Sequence, residues 1–177
     1  MTYTTIIYDL TGGIATITLN RPELMNALST GLRKELLHAL LRAQTEARVM
    51  VLTGTGRAFC SGQDLQDAGK IGSFDLERIL NEEYVPMIKA ITDSPIPTIA
   101  AVNGAAAGAG ANLALAADIV IAAESASFIQ AFTRIGLVPD AGGSYWLPRQ
   151  IGLARSMGAM LLGDKITARQ AADWGMI

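Results

Sequence analysis

Two loops rich in glycine and alanine could present uncovered backbone N–H groups to a ligand. The first is AAAGAGA, residues 105–111, which is typical of a helix start whose small side chains leave the backbone accessible from Ala106 to Ala111. The second is GRAFCSGQDL, residues 56–65, which follows the strand-like run RVMVLTG. Two N–H groups from separate loops can together stabilise a negatively charged oxygen. The competing interpretation is that these small residues only allow a helix to pack closely against a sheet.

Asp140 is the acidic residue whose setting best suits proton transfer. It lies in PDAGG, residues 139–143, within an otherwise apolar run. Apolar surroundings, Phe132 among them, can raise the pKa of a carboxyl group toward neutrality and so make it a useful base. Aspartate is also common in turns of this composition, so a purely structural role is the alternative.

The remaining reactive side chains argue against metal chemistry. The chain has one histidine, His38, and one cysteine, Cys60, which are too few ligands for a conventional zinc or iron site. No acidic cluster suggests a carboxylate metal site. His38 is interpreted as an ordinary helix residue, and Cys60 as a small buried filler that has no partner for an internal disulfide.

Strand-like and helical segments alternate along the chain and indicate an α/β fold. Residues 29–46 predict a helix that Ser29 caps, with an apolar face that includes Leu32, Leu36, Leu40 and Ala43. Residues 75–93 predict a second amphipathic helix, which ends before two prolines, and GKIGSF, residues 69–74, is the expected flexible loop. Residues 1–177 are interpreted as a single domain. Five short β-branched runs predict strands: residues 4–10, 14–20, 48–54, 97–104 and 118–123.

Composition narrows the classes of partner. The sequence is 50% hydrophobic and 17% charged with a formal net charge of -2, so nothing in its charge favours nucleic acid or an anionic membrane. The apolar stretch 96–123 is interrupted by Asn103, Asn112 and Asp118, which favours a buried strand–helix–strand unit over a membrane span. The N-terminal MTYTTIIYDL lacks the features of a secretory signal, so a cytoplasmic location is expected.

Four segments resemble the crotonase, or enoyl-CoA hydratase/isomerase, superfamily in family order: NRPELMNALS (20–29), VLTGTGRAFCSGQDL (51–65), residues 97–128 and GLVPDAGGSYWLPRQIG (136–152). The resemblance implies a spiral of repeated ββα units that binds an acyl-CoA thioester. It assigns the two oxyanion donors to the backbone N–H groups of Gln63 and Ala109. Arg21 could face a phosphate, although an exposed surface arginine is the preferred interpretation. The residues that the resemblance places near coenzyme A are Met25, Ala27, Ser61, Gln63 and Leu65.

The resemblance also points to a particular reaction. Hydratases of the family carry two glutamates where this chain has Asn112 and Phe132, which are therefore assigned to the substrate pocket. Some isomerases of the family carry a catalytic aspartate at the position of Asp140. Within the family the sequence looks most like the ring-1,2-epoxyphenylacetyl-CoA isomerases, which form oxepin-CoA in phenylacetate degradation. An aromatic dehalogenase fits less well, because the tryptophan expected at position 132 is replaced by phenylalanine.

Three other functions stay open: a double-bond-shifting enoyl-CoA isomerase, an enoyl-CoA hydratase, and an inactive homologue that binds acyl-CoA or serves as a scaffold. Family members continue into a C-terminal helical region that is absent from these 177 residues. They are usually trimers or dimers of trimers, so a homotrimer or hexamer is expected. No cofactor is implied, because proton transfer needs none and coenzyme A is part of the substrate.

Overall fold

The structure is a computed structural model that describes residues 2–66 and 75–177. The expected flexible loop, residues 69–74, lies outside the described residues. The elements in chain order are β1 (Ile6–Thr11), β2 (Ile14–Leu19), α1 (Thr30–Glu46), β3 (Val49–Gly54), β4 (Ala58–Cys60), α2 (Leu76–Ile79), α3 (Val85–Thr92), β5 (Thr98–Val102), β6 (Ala105–Ala107), α4 (Ala109–Leu115), β7 (Ile119–Ala122), β8 (Ser127–Ile129), α5 (Gly143–Ile151), α6 (Leu153–Leu162), β9 (Lys165–Thr167) and α7 (Ala168–Asp173). Short 3-10 helices cover Pro22–Leu24 and Ala131–Ile135, and a π-helical turn covers Leu80–Tyr84.

The five predicted strands form one sheet in the order β1-β2-β3-β5-β7. The β1–β2 pair is antiparallel, and the other pairs of this sheet are parallel. Ala15, Ile17 and Leu19 alternate along β2 and are fully buried, which is the pattern expected of a half-buried strand. The sequence prediction of these strands is therefore confirmed.

A second sheet, with the order β4-β6-β8-β9, was not predicted. Each of its strands has only three residues, and β6 consists of three alanines. The expectation that residues 106–111 form a helix start is therefore wrong in part. Residues 105–107 pair with β4 and β8 as a strand, and helix α4 begins only at Ala109.

Both predicted helices are present, and the second consists of three consecutive helical elements. Ser29 caps α1 by accepting a hydrogen bond from the Leu32 N–H, and the predicted apolar face of α1 is buried. The helix predicted over residues 75–93 consists of α2, the π-helical turn and α3, with Asp75 as its N-cap. This composite helix supplies one wall of the candidate site.

Residues of both sheets share one hydrophobic core, in which Ile17 and Leu52 of the first sheet cluster with Phe59 and Phe128 of the second. The architecture is the α/β class that the sequence predicted, and the single-domain interpretation stays a prediction. Within residues 2–66 and 75–177, no helix combines the length and apolar character needed to cross a bilayer.

Candidate active site

The backbone around Gly62 points the Gln63 N–H away from Leu28. The carbonyl of Gly62 accepts a hydrogen bond of 2.8 Å from the Leu28 N–H. Because a trans peptide is planar, its N–H points opposite to its carbonyl, so the Gln63 N–H faces the other side. Gly62 has a φ of 90°, and a Cβ here would lie 2.8 Å from the Ala107 carbonyl oxygen. Only glycine fits this position without displacing the backbone.

The Ala109 N–H is presented by the start of α4. The Gly108 carbonyl accepts a 3.1 Å hydrogen bond from the Asn112 N–H, so the N–H of the same peptide points out of the helix. N–H groups in a first helical turn have no intrahelical partner. In the described part of the chain, neither this N–H nor that of Gln63 takes part in a loop or cap hydrogen bond. A Cβ on Gly62 would lie 3.4 Å from the Ala109 nitrogen, so the two donors are close neighbours.

Gln63 and Ala109, the residues that carry the two donors, line a cavity of about 510 Å³. Asp140 and Phe132 line the same cavity, so the structure brings the predicted base and the predicted donors together. Further lining comes from the composite helix, through Leu76, Leu80 and Tyr84, and from the segment after β8, through Ala131, Arg134, Ile135 and Leu137. The arrangement is an apolar pocket with a few convergent polar groups, which is typical of a small-molecule site.

One backbone hydrogen bond and one buried side-chain amide hold the Asp140 carbonyl in place. Its carbonyl accepts 2.9 Å and 2.8 Å hydrogen bonds from the Gly143 N–H and from Asn112 Nδ2. Asn112 is fully buried, and its Oδ1 accepts a 2.8 Å hydrogen bond from Gln130 Nε2. Ala141, the next residue, has a φ of 47°, which is unusual for a residue with a side chain. Asn112 therefore orients the turn that carries the carboxyl group, and it does not itself line the cavity.

Burial raises the pKa of the Asp140 carboxyl to about 6. One of its oxygens, Oδ1, is buried and accepts no hydrogen bond from any described residue. A carboxylate in this state is a stronger base than a solvated one, yet it is still largely ionised at neutral pH. These properties suit reversible proton transfer.

The raised pKa also predicts a cost in stability. The folded state binds the Asp140 proton with a pKa of about 6, against the ordinary 3.8 expected after unfolding. The folded state therefore holds more protons between these values, and this group lowers the free energy of unfolding as the pH rises through them. Asp140→Asn should gain stability relative to wild type as the pH rises from about 4 to about 7. Urea unfolding of both proteins at several pH values measures the gain, and a difference independent of pH would contradict it.

Cys60, two residues before Gly62, is a fully buried residue of β4. Burial raises the pKa of its thiol to about 12, so the nucleophilic thiolate is absent at neutral pH. The folded protein should react with a thiol reagent such as DTNB only at the rate of unfolding, whereas urea-unfolded protein should react at once. Rapid reaction of the folded protein would contradict the interpretation of Cys60 as a filler.

The predicted coenzyme A residues fall into two groups. Ser61, Gln63 and Leu65 line the cavity, whereas Met25 and Ala27 do not. Ala27 is buried, and Met25 contacts the site only indirectly, through its carbonyl, which accepts a 3.0 Å hydrogen bond from the Ser61 N–H.

The interpretation of Arg21 as an exposed surface residue is wrong. Its side chain is only 17% exposed, and its Nη1 donates 2.7 Å hydrogen bonds to the Ala27 carbonyl and to Asp64 Oδ2. The arginine thus ties the loop of residues 21–27 to the segment after β4. His38 is a helix residue, as predicted, and its Nδ1 lies 2.8 Å from the Tyr3 hydroxyl.

Two residues beside the site were missed in the sequence, Arg33 and Tyr84. Arg33 is fully buried, and Tyr84 is 4% exposed and lines the cavity. The sequence did carry a signal for Arg33: it is a charged residue three positions before Leu36, on the apolar face of α1, where a buried and paired side chain is expected. Tyr84 carries no comparable signal, since an aromatic residue on an amphipathic helix is ordinarily core.

Comparison of the sequence with known proteins identifies the family of this chain. The family model of enoyl-CoA hydratase/isomerase matches residues 9–177. The chain belongs to the enoyl-CoA hydratase/isomerase family. It is 63% identical over its whole length to a Rhodobacter capsulatus protein named a probable enoyl-CoA hydratase, of which it covers 68%. It is 45% identical to the 1,2-epoxyphenylacetyl-CoA isomerase of Escherichia coli, with 97% of this chain and 68% of the relative aligned.

Solved structures share the crotonase fold of this family. A crystal structure of an enoyl-CoA hydratase from Mycobacterium avium subsp. paratuberculosis superimposes with a TM-score of 0.88 at 35% identity. That match covers 99% of this chain and 68% of the other. The expected α/β crotonase architecture is confirmed.

Proposed function

We propose that the protein is an acyl-CoA isomerase in which Asp140 is the base and the Gln63 and Ala109 N–H groups form the oxyanion hole. The observation that carries the proposal is the meeting of these three groups in one apolar cavity, with a buried carboxyl whose pKa is about 6. The family and both named relatives connect the chain with enoyl-CoA or phenylacetyl-CoA chemistry.

In the proposed reaction, the thioester oxygen lies between the two N–H groups. Asp140 takes a proton from the carbon next to the thioester carbonyl, and the electron pair moves onto the oxygen as an enolate. Each donor aimed at that oxygen stabilises the enolate by roughly 2.7–4 kcal/mol, and the positive end of α4 adds to this. The proton then returns at another carbon, so substrate and product have the same composition. One carboxyl group serves first as base and then as acid.

The side chains at positions 112 and 132 support isomerisation over hydration. The family resemblance assigns the two glutamates of hydratases to these positions, where this chain has Asn112 and Phe132. Both ends of the Asn112 amide are hydrogen-bonded within the protein, to Asp140 and to Gln130, and Phe132 offers only a ring to the cavity. Neither residue can activate a water molecule. Hydration remains the second candidate because the 63% identical relative carries that name.

For the substrate, we propose ring-1,2-epoxyphenylacetyl-CoA, with oxepin-CoA as the product. Removal of the proton next to the thioester would drive opening of the epoxide and expansion of the ring. The 45% identity to an isomerase named for this substrate supports the assignment, as does the largely apolar cavity of about 510 Å³. A double-bond-shifting isomerase would need the same base and the same donors.

Product analysis separates these functions. The protein is incubated separately with freshly generated ring-1,2-epoxyphenylacetyl-CoA, a 3-enoyl-CoA and a 2-enoyl-CoA, and products are identified by mass spectrometry and ultraviolet absorbance. Oxepin-CoA is the expected product. Conversion of the 3-enoyl-CoA alone would assign the double-bond-shifting activity, and 3-hydroxyacyl-CoA from the 2-enoyl-CoA would assign hydration. Binding of all three esters without turnover would favour the scaffold function.

A further inference from the structure

The Gln63 side chain is clamped by two residues that have no place in the proposed reaction. Its Oε1 accepts a 2.5 Å hydrogen bond from the Tyr84 hydroxyl and a 3.1 Å hydrogen bond from Arg33 Nη1. Its Nε2 donates to the Asp64 carbonyl at 3.3 Å. Both ends of the amide are therefore held, although the side chain belongs to a residue whose proposed contribution is its backbone N–H.

Arg33 is itself rigidly held. Its Nε donates to Glu83 at 2.8 Å, within a buried ion pair, and its Nη1 also donates to the Leu28 carbonyl. Leu28 is the residue whose N–H holds the Gly62 carbonyl, which belongs to the same peptide as the Gln63 N–H. One guanidinium group thus contacts the Gln63 side chain and also holds Leu28, whose N–H fixes the Gly62–Gln63 peptide.

Tyr84 completes the clamp from the cavity side. Burial raises the pKa of Tyr84 above its ordinary value, so the hydroxyl keeps its proton and remains a donor. The Arg33 guanidinium lies 5.2 Å from the centre of the Tyr84 ring, which packs the two residues together. Glu83 and Tyr84 both belong to the π-helical turn Leu80–Tyr84, and π turns inside helices are frequent at functional sites.

We propose that Arg33 and Tyr84 are positioning residues that hold the Gln63 half of the oxyanion hole through the Gln63 side chain. The proposal rests on the proposed function of Gln63 and Ala109 as donors to a thioester oxygen. A small rotation of the Gly62–Gln63 peptide would move the N–H off the oxygen, and hydrogen-bonded donors need close alignment to act. The Leu28 hydrogen bond restrains the peptide at the Gly62 carbonyl. The hydrogen bonds from Tyr84 and Arg33 add a second restraint at the Gln63 side chain.

A double-mutant cycle tests whether Tyr84 acts through Gln63. Tyr84→Phe removes only the hydroxyl, and Gln63→Met removes the acceptor but keeps the backbone N–H. Each change should lower kcat roughly three- to tenfold with little effect on KM, and the double variant should match Gln63→Met alone. Arg33 is left intact because its loss would strand the buried Glu83 charge. Independent, multiplicative effects of the two substitutions would overturn the proposal.

An infrared measurement reports on the hole without turnover. The probe is phenylacetyl-CoA labelled with ¹³C at the thioester carbonyl, whose stretching frequency falls when the oxygen accepts hydrogen bonds. Tyr84→Phe should lose part of the shift seen in wild type. Tyr8→Phe is the matched control, because its hydroxyl bonds to Glu46 outside the cavity, and it should keep the full shift.

The outcomes separate this proposal from the proposed function. A wild-type protein that binds the labelled thioester without a shift, or does not bind it, would overturn both. A shift in wild type that Tyr84→Phe retains in full would overturn only the positioning role. Thermal unfolding of all variants shows that each remains folded at the temperature of the measurement.

Discussion

Asp140→Asn is expected to lower kcat by about 10²–10⁴-fold, the usual contribution of a positioned general base. The structure makes this substitution a clean test, because the hydrogen bonds that hold the turn use the backbone carbonyl of Asp140 and not its carboxyl group. Asparagine also shares the turn preferences of aspartate. The variant should therefore keep the loop and lose only the base.

The expected defect lies in kcat more than in KM, because the substrate is held by the cavity walls and the two N–H groups. Steady-state kinetics of both proteins with the preferred substrate from product analysis measure the ratio. Asp93→Asn is the matched control, since Asp93 is an exposed carboxylate at the end of α3, outside the cavity, and its loss should leave kcat unchanged. Equal activity of Asp140→Asn and wild type would remove Asp140 as the base and leave it a turn residue.

The same base predicts a pH profile. With a pKa of about 6, the carboxyl group is protonated and inactive below that pH and ionised above it. For the free enzyme, kcat/KM should reach a plateau above about pH 7 and fall about tenfold per pH unit well below the pKa. A profile that stays flat to about pH 5 would mean that the base retains an ordinary carboxyl pKa.

The sequence predicted the first sheet and missed the second for a physical reason. Strands β1, β2 and β3 have six residues each and are rich in β-branched side chains, so each is long enough to be recognised as a strand from its composition. A three-residue strand such as β6, Ala105–Ala107, has no period to read and is defined only by pairing with distant segments. Its alanines equally suit a helix, which is why the start of α4 was predicted too early.

The candidate site also has features that the sequence predicts and features that it does not. The two N–H donors could be predicted, because Gly62 and Gly108 lie in loops whose composition signals an exposed backbone and because the family motifs cover both. The contacts that hold the Asp140 turn and the Gln63 side chain could not be predicted, since they join Asn112 to Asp140, 28 residues apart, and Arg33 to Gln63, 30 residues apart. Such pairs depend on packing between elements, and no local pattern encodes them.

Ala109→Pro is expected to lower kcat by about 10²–10³-fold by deleting one donor of the oxyanion hole. A side-chain substitution cannot remove a backbone N–H, whereas proline replaces it with a ring carbon. Ala109 is the first residue of α4, the helical position that best tolerates proline. Gly108, the residue before it, has φ 51° and ψ -127°, the mirror image of the extended conformation that proline prefers in its predecessor, and glycine adopts it freely.

The matched control for this change is Leu153→Pro. Leu153 is also the first residue of a helix and also follows a glycine with positive φ, but it is exposed and lies outside the cavity. Both variants should retain the fold by circular dichroism, and only Ala109→Pro should lose activity and the infrared shift of the bound thioester carbonyl. If Ala109→Pro kept wild-type kcat, the Ala109 N–H would not contact the oxygen in the transition state, and Gln63 would be the sole donor of the proposed pair.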